Sequence, residues 1–419
     1  MAPKRKKKRV NVGKLIVQII FVLILAALML LLLSWRTDAI KENDLITENA
    51  LNAAEEEDAE DTVLSAETTP EPTPEPTPEP TPEPEPEYFT LSFIGDNSLW
   101  ANSNFVNSEY GLPLTVGDDY AYPYKNTVQY FKDSEYTLAN LECTLSDETM
   151  YSAQQFSFLA PSRYANILVE GNVDFVTMAN NHTMDFYEKG LADTKASLDA
   201  VGVLYGNDNE SHVVTTPNGL KLGIYTAYNS YHPEDKMDAI ESSIASMRSE
   251  GADIIICMFH WGQELYYTPN DNQISLAHAC IDAGADIVYG AHPHCLQPIE
   301  EYNGKIILYS VGNWVFGGNT QPSDPDTAIV QVIIKRDIDG TISYDSFNAI
   351  PCCISSNIDG GNAKADNTSY DAYANYNDYC PTPYEEGSEG YLRAMSKLMG
   401  TFEATSQGAD YSDYYASWG

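Results

Sequence analysis

Basic side chains are scarce in most of this 419-residue chain: residues 37–419 hold 15 Lys and Arg against 61 Asp and Glu, a net charge of −46. With its cations scattered, that region lacks the Lys/Arg density that a phosphate backbone requires, which excludes a nucleic-acid partner. No CxxC pair occurs and the seven cysteines are odd in number, so the chain carries no disulfide framework. Cys257, inside the apolar run IIICMF, and Cys280, inside a helical pattern, read as core thiols. A pairing of Cys352 with Cys380 stays open. Also missing is a small-x-small cleavage site after the N-terminal apolar run, where Ser34, Trp35, Arg36 and Thr37 follow instead. With no cysteine nearby for lipid attachment, the run is expected to remain as an anchor.

What is present at the N-terminus is a basic tail, residues 1–14, with Lys4–Arg9 and Lys14, followed by LIVQIIFVLILAALMLLLL from Leu15 to Leu33. The apolar run is long enough to cross a bilayer, and the expected membrane helix spans 15–34. The basic cluster keeps the tail cytoplasmic, so everything after the helix is expected outside the cell membrane. Residues 35–87 hold few large apolar side chains and the repeat PEPTPEPTPEPTPEPEPE, which cannot bury a core. Such a segment favours polyproline II and reaches roughly 55 Å if extended. It reads as an acidic extracellular tether.

From residue 88 short apolar runs alternate with helical patterns. Strands are expected at FTLSFIG (89–95), ending at Asp96, and YTLANLE (136–142), ending at Glu142. VDFVTMA (173–179) runs into Asn180, Asn181 and His182, ADIIICMFHWG (252–262) carries His260, and ADIVYGAHPH (285–294) carries His292 and His294. Helices are expected over 124–133, 161–171, 185–202 and 274–283, the third closed by Gly202. Hairpins are expected over 213–228, at Asn303-Gly304 with the return strand KIILYSVGN, and at Asp339-Gly340. The folded domain is set at 88–354. Residues 355–419, rich in Asn, Tyr and Asp, read as a loosely packed extension with a short helix near 390–399.

In an α/β chain of this kind, ligand sites lie beyond the carboxyl ends of the strands. One histidine there is usually a hydrogen-bonded structural residue. Four of them, His182, His260, His292 and His294, beside Asp96, Glu142 and Asn181 at equivalent strand ends, call for a different explanation. Carboxylate, imidazole and amide oxygen together suit Zn²⁺, Mn²⁺ or Fe²⁺ over Ca²⁺. His212, His232 and His278 read as structural or surface residues.

The blocks FIGD (93–96), ANLE (139–142), ANNH (179–182), HWGQE (260–264), GAHPHCLQ (290–297) and SVGNWVFG (310–317), in that order, resemble the CapA-type capsule synthesis proteins associated with poly-γ-glutamate. That resemblance covers about residues 89–350 and implies a branch of the calcineurin-like metallophosphoesterases. The implied fold is a four-layer α/β/β/α metallophosphatase-like sandwich, here preceded by one transmembrane helix and the Pro/Glu-rich linker. It implies one or two divalent ions: Asp96 and His294 on the first, Asn181, His260 and His292 on the second, and Glu142 bridging. His182 becomes the general acid, and Asp185, Glu264, Gln297 and Asn313 become orienting or substrate-contacting residues. Two departures stand out. Ser98 occupies the slot where the phosphoesterase pattern has a histidine, and Glu142 replaces the usual bridging aspartate. The first ion site is therefore expected to be the weaker, or to hold a hard ion such as Mg²⁺ or Mn²⁺. None of the six blocks contains Arg or Lys. The expected process is the making of a poly-γ-glutamate-like polymer, with the membrane, an anionic envelope polymer and other capsule synthesis proteins as partners. Turnover by a hydrolytic site and metal-bridged holding of the polymer both remain open.

Overall fold

The computed structural model describes residues 85–100, 111–152, 156–229, 236–317, 324–358 and 377–404, all within one compact unit, Pro82–Gly419. The basic tail, the apolar run, nearly all of the acidic tether and His232 lie outside the described residues. Among the described residues no helix is long and apolar enough to cross a membrane.

The first part of the chain lays down β1 (Glu87–Ser98), α1 (Leu112–Val116), α2 (Val128–Lys132), β2 (Tyr136–Leu141), the short pair β3 (Thr144–Leu145) and β4 (Leu159–Ala160), α3 (Ala165–Glu170), β5 (Phe175–Thr177), α4 (Tyr187–Val201) and β6 (Leu204–Gly206). Strands β1, β2, β5 and β6 pair in parallel in that order. A second sheet follows from β7 (Glu210–Thr215), β8 (Lys221–Asn229), α5 (Met237–Ser249), β9 (Ile254–Trp261), α6 (Asp271–Asp282), β10 (Ile287–Ala291), β11 (Ile299–Tyr302) and β12 (Lys305–Leu308). Its strand order is β11-β12-β10-β9-β8-β7. The chain then returns to the first sheet with β13 (Asn313–Phe316), β14 (Asp326–Arg336), β15 (Ile342–Cys353) and β16 (Thr382–Pro383), and closes with α7 (Glu389–Leu398).

Hydrophobic burial stacks these elements in four layers. Between the sheets, Leu91, Phe93, Leu138 and Phe175 meet Leu222, Ile224, Ile254, Ile256 and Met258. Outside the first sheet, Leu141 and Val176 cluster with Ile167 and Leu168 of α3 and Leu198 of α4. Outside the second, Ile255, Cys257 and Phe259 cluster with Ile240, Ile244 and Met247 of α5 and Leu276 and Cys280 of α6. A strand covered on both faces reads as an unbroken apolar run. Strand β9, IIICMFHW, is buried at every position. All seven cysteines are buried free thiols, Cys352 and Cys380 included.

The expected strands appear at their places, with three differences. The run KIILYSVGN is not one strand: β12 ends at Leu308, Gly312 turns in the left-handed region at φ 75°, and β13 crosses to the first sheet. There it pairs in parallel with β1, Asp96 opposite Asn313. Glycine is required at this crossing, because a Cβ on Gly95 would stand 1.9 Å from the Gly312 carbonyl oxygen. The helix α5 had no counterpart among the expected elements. Finally, the described part of the C-terminal stretch is packed and not loose, since Ala394 and Leu398 of α7 join the core between the sheets. The topology therefore brings the carboxyl ends of β1, β2, β5, β9 and β10 and the start of β13 to one rim.

Candidate metal centre

Asp96, at the end of the buried strand β1, has no exposed surface. Its Oδ1 accepts from Asn140 Nδ2 at 2.8 Å, and its Oδ2 from the His292 backbone N–H at 3.3 Å. The same Oδ2 lies 3.2 Å from His294 Nδ1, which also faces Asn313 Oδ1 at 2.9 Å. Two acceptors fix a proton on His294 Nδ1 and turn Nε2 inward.

Glu142, one residue beyond β2, is equally buried, and its two oxygens differ. Oε2 accepts from Asn140 Nδ2 at 3.3 Å. Oε1 has no hydrogen-bond partner among the described residues and stands 3.7 Å from His260 Nε2, 3.8 Å from His294 Nε2 and 3.9 Å from His182 Nε2. Leaving a buried carboxylate oxygen unpaired costs about 1–3 kcal/mol or more. Those separations exceed hydrogen-bond lengths yet suit donors that share a cation. His292 Nδ1 is a second buried atom without a hydrogen-bond partner. Two donor sets, Glu142 with His292 and His294, and Asp96 with Glu142 and His260, keep their ligand atoms within 4.8 Å of one another. Carboxylate with imidazole is chemistry for a transition metal, so the donors fit a divalent ion.

Backbone strain marks the same place. His292 at φ 97° and His294 at φ 53° flank Pro293 just past β10. Such conformations cost an L residue of order 1–3 kcal/mol and persist where the surroundings impose them. The electrostatics are strongly split. Burial, then the neighbouring His294, pushes His292 down to about 3. Burial followed by His292 and His294 holds His260 well below the usual imidazole range. Burial disfavours the charge on His294 too, but Glu142 and Asp96 overcome it and raise this group to about 10. Glu142 is itself pushed well up, by burial first and by Asp96 second.

The remaining candidates fall into place unevenly. Asn181 Oδ1 accepts from His260 Nε2 at 2.7 Å, so these two are neighbours as expected. His182 Nδ1 meets Asp185 Oδ2 at 2.9 Å, an oxygen that also accepts the Phe158 N–H at 3.0 Å, and its ring packs on Phe158 with centroids 4.6 Å apart. That clamp aims His182 Nε2 at the centre. Glu264 is half-buried and close enough to raise both Glu142 and His294. Gln297 orients no ligand: its amide donates to the Tyr266 carbonyl at 2.7 Å and accepts from Gln273 Nε2 at 2.9 Å, which ties down the 262–268 loop. Ser98 is buried, with its Oγ 3.5 Å from the Trp100 carbonyl. His278 pairs with Glu300 at 3.0 Å and His212 packs on Phe175, which gives both structural roles.

Sequence reasoning missed Asn140 and Asn180. Asn140, on β2, stands two residues before Glu142 just past its end, a spacing that in extended chain puts both side chains on the same face and was the available signal. Asn180 donates from Nδ2 to Asn140 Oδ1 at 3.1 Å and to the Leu141 carbonyl at 2.8 Å.

A family model described as "Bacterial capsule synthesis protein PGA_cap" matches residues 90–318. The chain is 31% identical over 271 residues to the PGA biosynthesis protein CapA of Bacillus subtilis (strain 168), covering 60% of this chain and 69% of that protein. It is 30% identical over 276 residues to the capsule biosynthesis protein CapA of Bacillus anthracis, with 59% and 64% covered. Among solved structures, Haemophilus influenzae NAD nucleotidase (NadN) aligns at a TM-score of 0.36 and 13% identity, over 80% of this chain and 67% of that one.

Proposed function

Because the chain belongs to the bacterial capsule synthesis protein family PGA_cap, we propose that it serves the synthesis of a poly-γ-glutamate-like envelope polymer. In this reading it does so through a metal-dependent hydrolytic site of the metallophosphoesterase kind. The observation that carries the reading is the unpartnered, buried Glu142 Oε1 ringed by imidazole nitrogens. Glu142, His292 and His294 would hold the ion, with Asp96 and Asn313 fixing His294 from behind. A bound divalent ion would polarise a phosphoryl or carbonyl oxygen of the substrate.

The protein's own contribution is proton transfer and charge. Asp185 holds His182 by Nδ1, which leaves Nε2 to hand a proton to the leaving group. With Lys and Arg absent from every motif block, negative charge on a substrate is offset by the ion and the histidines. We also read the chain as a single-pass membrane protein with the catalytic domain outside, on the basic tail and apolar run of the sequence. The acidity of the outer region supports a second reading, in which the ion bridges an anionic chain to an equally anionic protein without turnover.

The variant His182→Ala separates the two. Its ion content should equal that of the wild type, while hydrolysis of a chromogenic phosphoester should fall about 10²- to 10⁴-fold. Capsule production should not be restored in a deletion strain. Full restoration by His182→Ala, together with failure of Glu142→Ala and His292→Ala, would establish the holder and sink the hydrolase.

A further inference from the structure

The two donor sets around Glu142 differ in one respect: the atom between Asp96, Glu142 and His260 is the amide nitrogen of Asn140. Its Nδ2 lies 2.8 Å from Asp96 Oδ1, 3.3 Å from Glu142 Oε2 and 3.3 Å from His260 Nδ1. An amide NH₂ is a donor only and cannot ligate a metal. Nor can Asn140 turn its oxygen inward, because Asn180 Nδ2 donates to that oxygen at 3.1 Å and is itself fixed by the Leu141 carbonyl. A rotated amide would set N–H against N–H in a site with no exposed surface at Asn140. Asp96 Oδ2 is engaged as well, with the His292 N–H and His294 Nδ1. With two hydrogens for three acceptors, the amide gives one to Asp96 Oδ1 and shares the other between Glu142 Oε2 and His260 Nδ1; that leaves the proton of the ring on Nε2, where Asn181 Oδ1 accepts it at 2.7 Å. Every donor on the Asp96 side is thus turned to a protein group, whereas Glu142 Oε1 and His292 Nδ1 are not.

We propose that Asn140 takes the place of a second metal ion, so that the centre binds one divalent cation, on Glu142, His292 and His294. The inference rests on the metal-centre reading above and departs from the ligand assignment that the phosphoesterase resemblance implies, in which Asp96 binds an ion and the count is one or two. In it Asp96 is a positioning residue: its carboxylate orients His294 and accepts a hydrogen bond from the Asn140 amide, which stands where a second cation would otherwise sit. The loss of a histidine at Ser98 fits the same account, since no ion remains for it to bind.

The test is a calorimetric titration of the full chain with Mn²⁺, with elemental analysis of the dialysed protein. The wild type should bind one ion per chain. Asn140→Asp removes the amide hydrogens and supplies a third carboxylate beside Asp96 and Glu142, and should raise the count to two. One ion in both proteins, or two in the wild type, overturns the substitution by Asn140 while leaving a metal centre. No ion in either protein overturns the metal-centre reading and this inference with it. Should Asn140→Asp fail to fold, anomalous scattering from Mn²⁺-soaked wild-type crystals decides alone: one peak beside Glu142 Oε1 is expected, and a peak against Asp96 Oδ1 contradicts the proposal.

Discussion

At His294 two acceptors on one ring nitrogen select the other to face the Glu142 carboxylate. Asn313 and Asp96 both address Nδ1, so Nε2 is left toward Glu142. Removing such an outer partner typically costs 10- to 100-fold in metal affinity. With Asp96 still in place, Asn313→Leu should weaken Mn²⁺ binding about tenfold, read by competition with a chromogenic chelator. Unchanged affinity would show that Asp96 suffices. A second residue-scale outcome concerns Asp174, far from the centre at the opposite end of the strands. Burial raises its carboxyl to about 6, against the Thr137 N–H and with help from Glu135. A carboxyl whose folded pKa exceeds its unfolded one binds protons more strongly when folded, so its stabilising share is present below about pH 4 and lost as pH rises through about 6. Asp174→Asn keeps an acceptor for Thr137 but not the titration. The urea midpoint of the wild type should fall relative to the variant between pH 4 and pH 7, and parallel curves would remove the assignment.

The element with the most at stake outside the centre is α7. Ser388 caps it by accepting the Tyr391 N–H at 3.2 Å. Arg393 and Lys397, four residues apart, point from one face into the body of the domain. Arg393 grips Asp326 with two bonds of 2.8 and 2.6 Å. Lys397, 1% exposed, binds Asp324 at 2.7 and 2.8 Å and Asp326 at 2.8 Å. Removing one partner of a buried pair leaves an uncompensated charge, so Lys397→Met should cost about 3–5 kcal/mol of unfolding free energy in urea titrations. A loss under 1 kcal/mol would mean that Arg393 alone balances both acids. This latch was not legible in the sequence, because its acids lie 67 to 73 residues from its cations and nothing local pairs them. The strands were legible, since runs such as IIICMFHW are apolar for burial on two faces. The crossing at Gly312 was not, because strand-forming residues continue on both sides of it while the backbone changes sheet. At the centre, strand-end position revealed the histidines and acids. It could not reveal that the Asn140 amide would stand among them, since which group that amide faces is fixed by Asn180, in the loop after β5.

At the scale of the whole chain, charge is divided: eight basic and no acidic residues in 1–36, and a net −46 beyond. That division, with the apolar run between, leads us to expect the domain outside an intact membrane. Protease added to protoplasts should remove the domain, and protection would reverse the orientation. The acidic excess also constrains how a polyanion can be handled. Two like-charged polymers repel across a Debye length of about 8 Å at physiological salt, so broad surface contact with poly-γ-glutamate is disfavoured. Contact through a buried ion flanked by histidines avoids that cost at one place only. Retention of poly-γ-glutamate by the full chain should therefore depend on Mn²⁺ and vanish in chelator. It should also be lost in His292→Ala, which removes a donor and leaves the net charge of the surface as it was. Raising NaCl from about 50 to about 200 mM screens repulsion alone and should not substitute for the ion. Equal retention with chelator, or retention restored by NaCl, would move polymer binding off the centre and onto the surface.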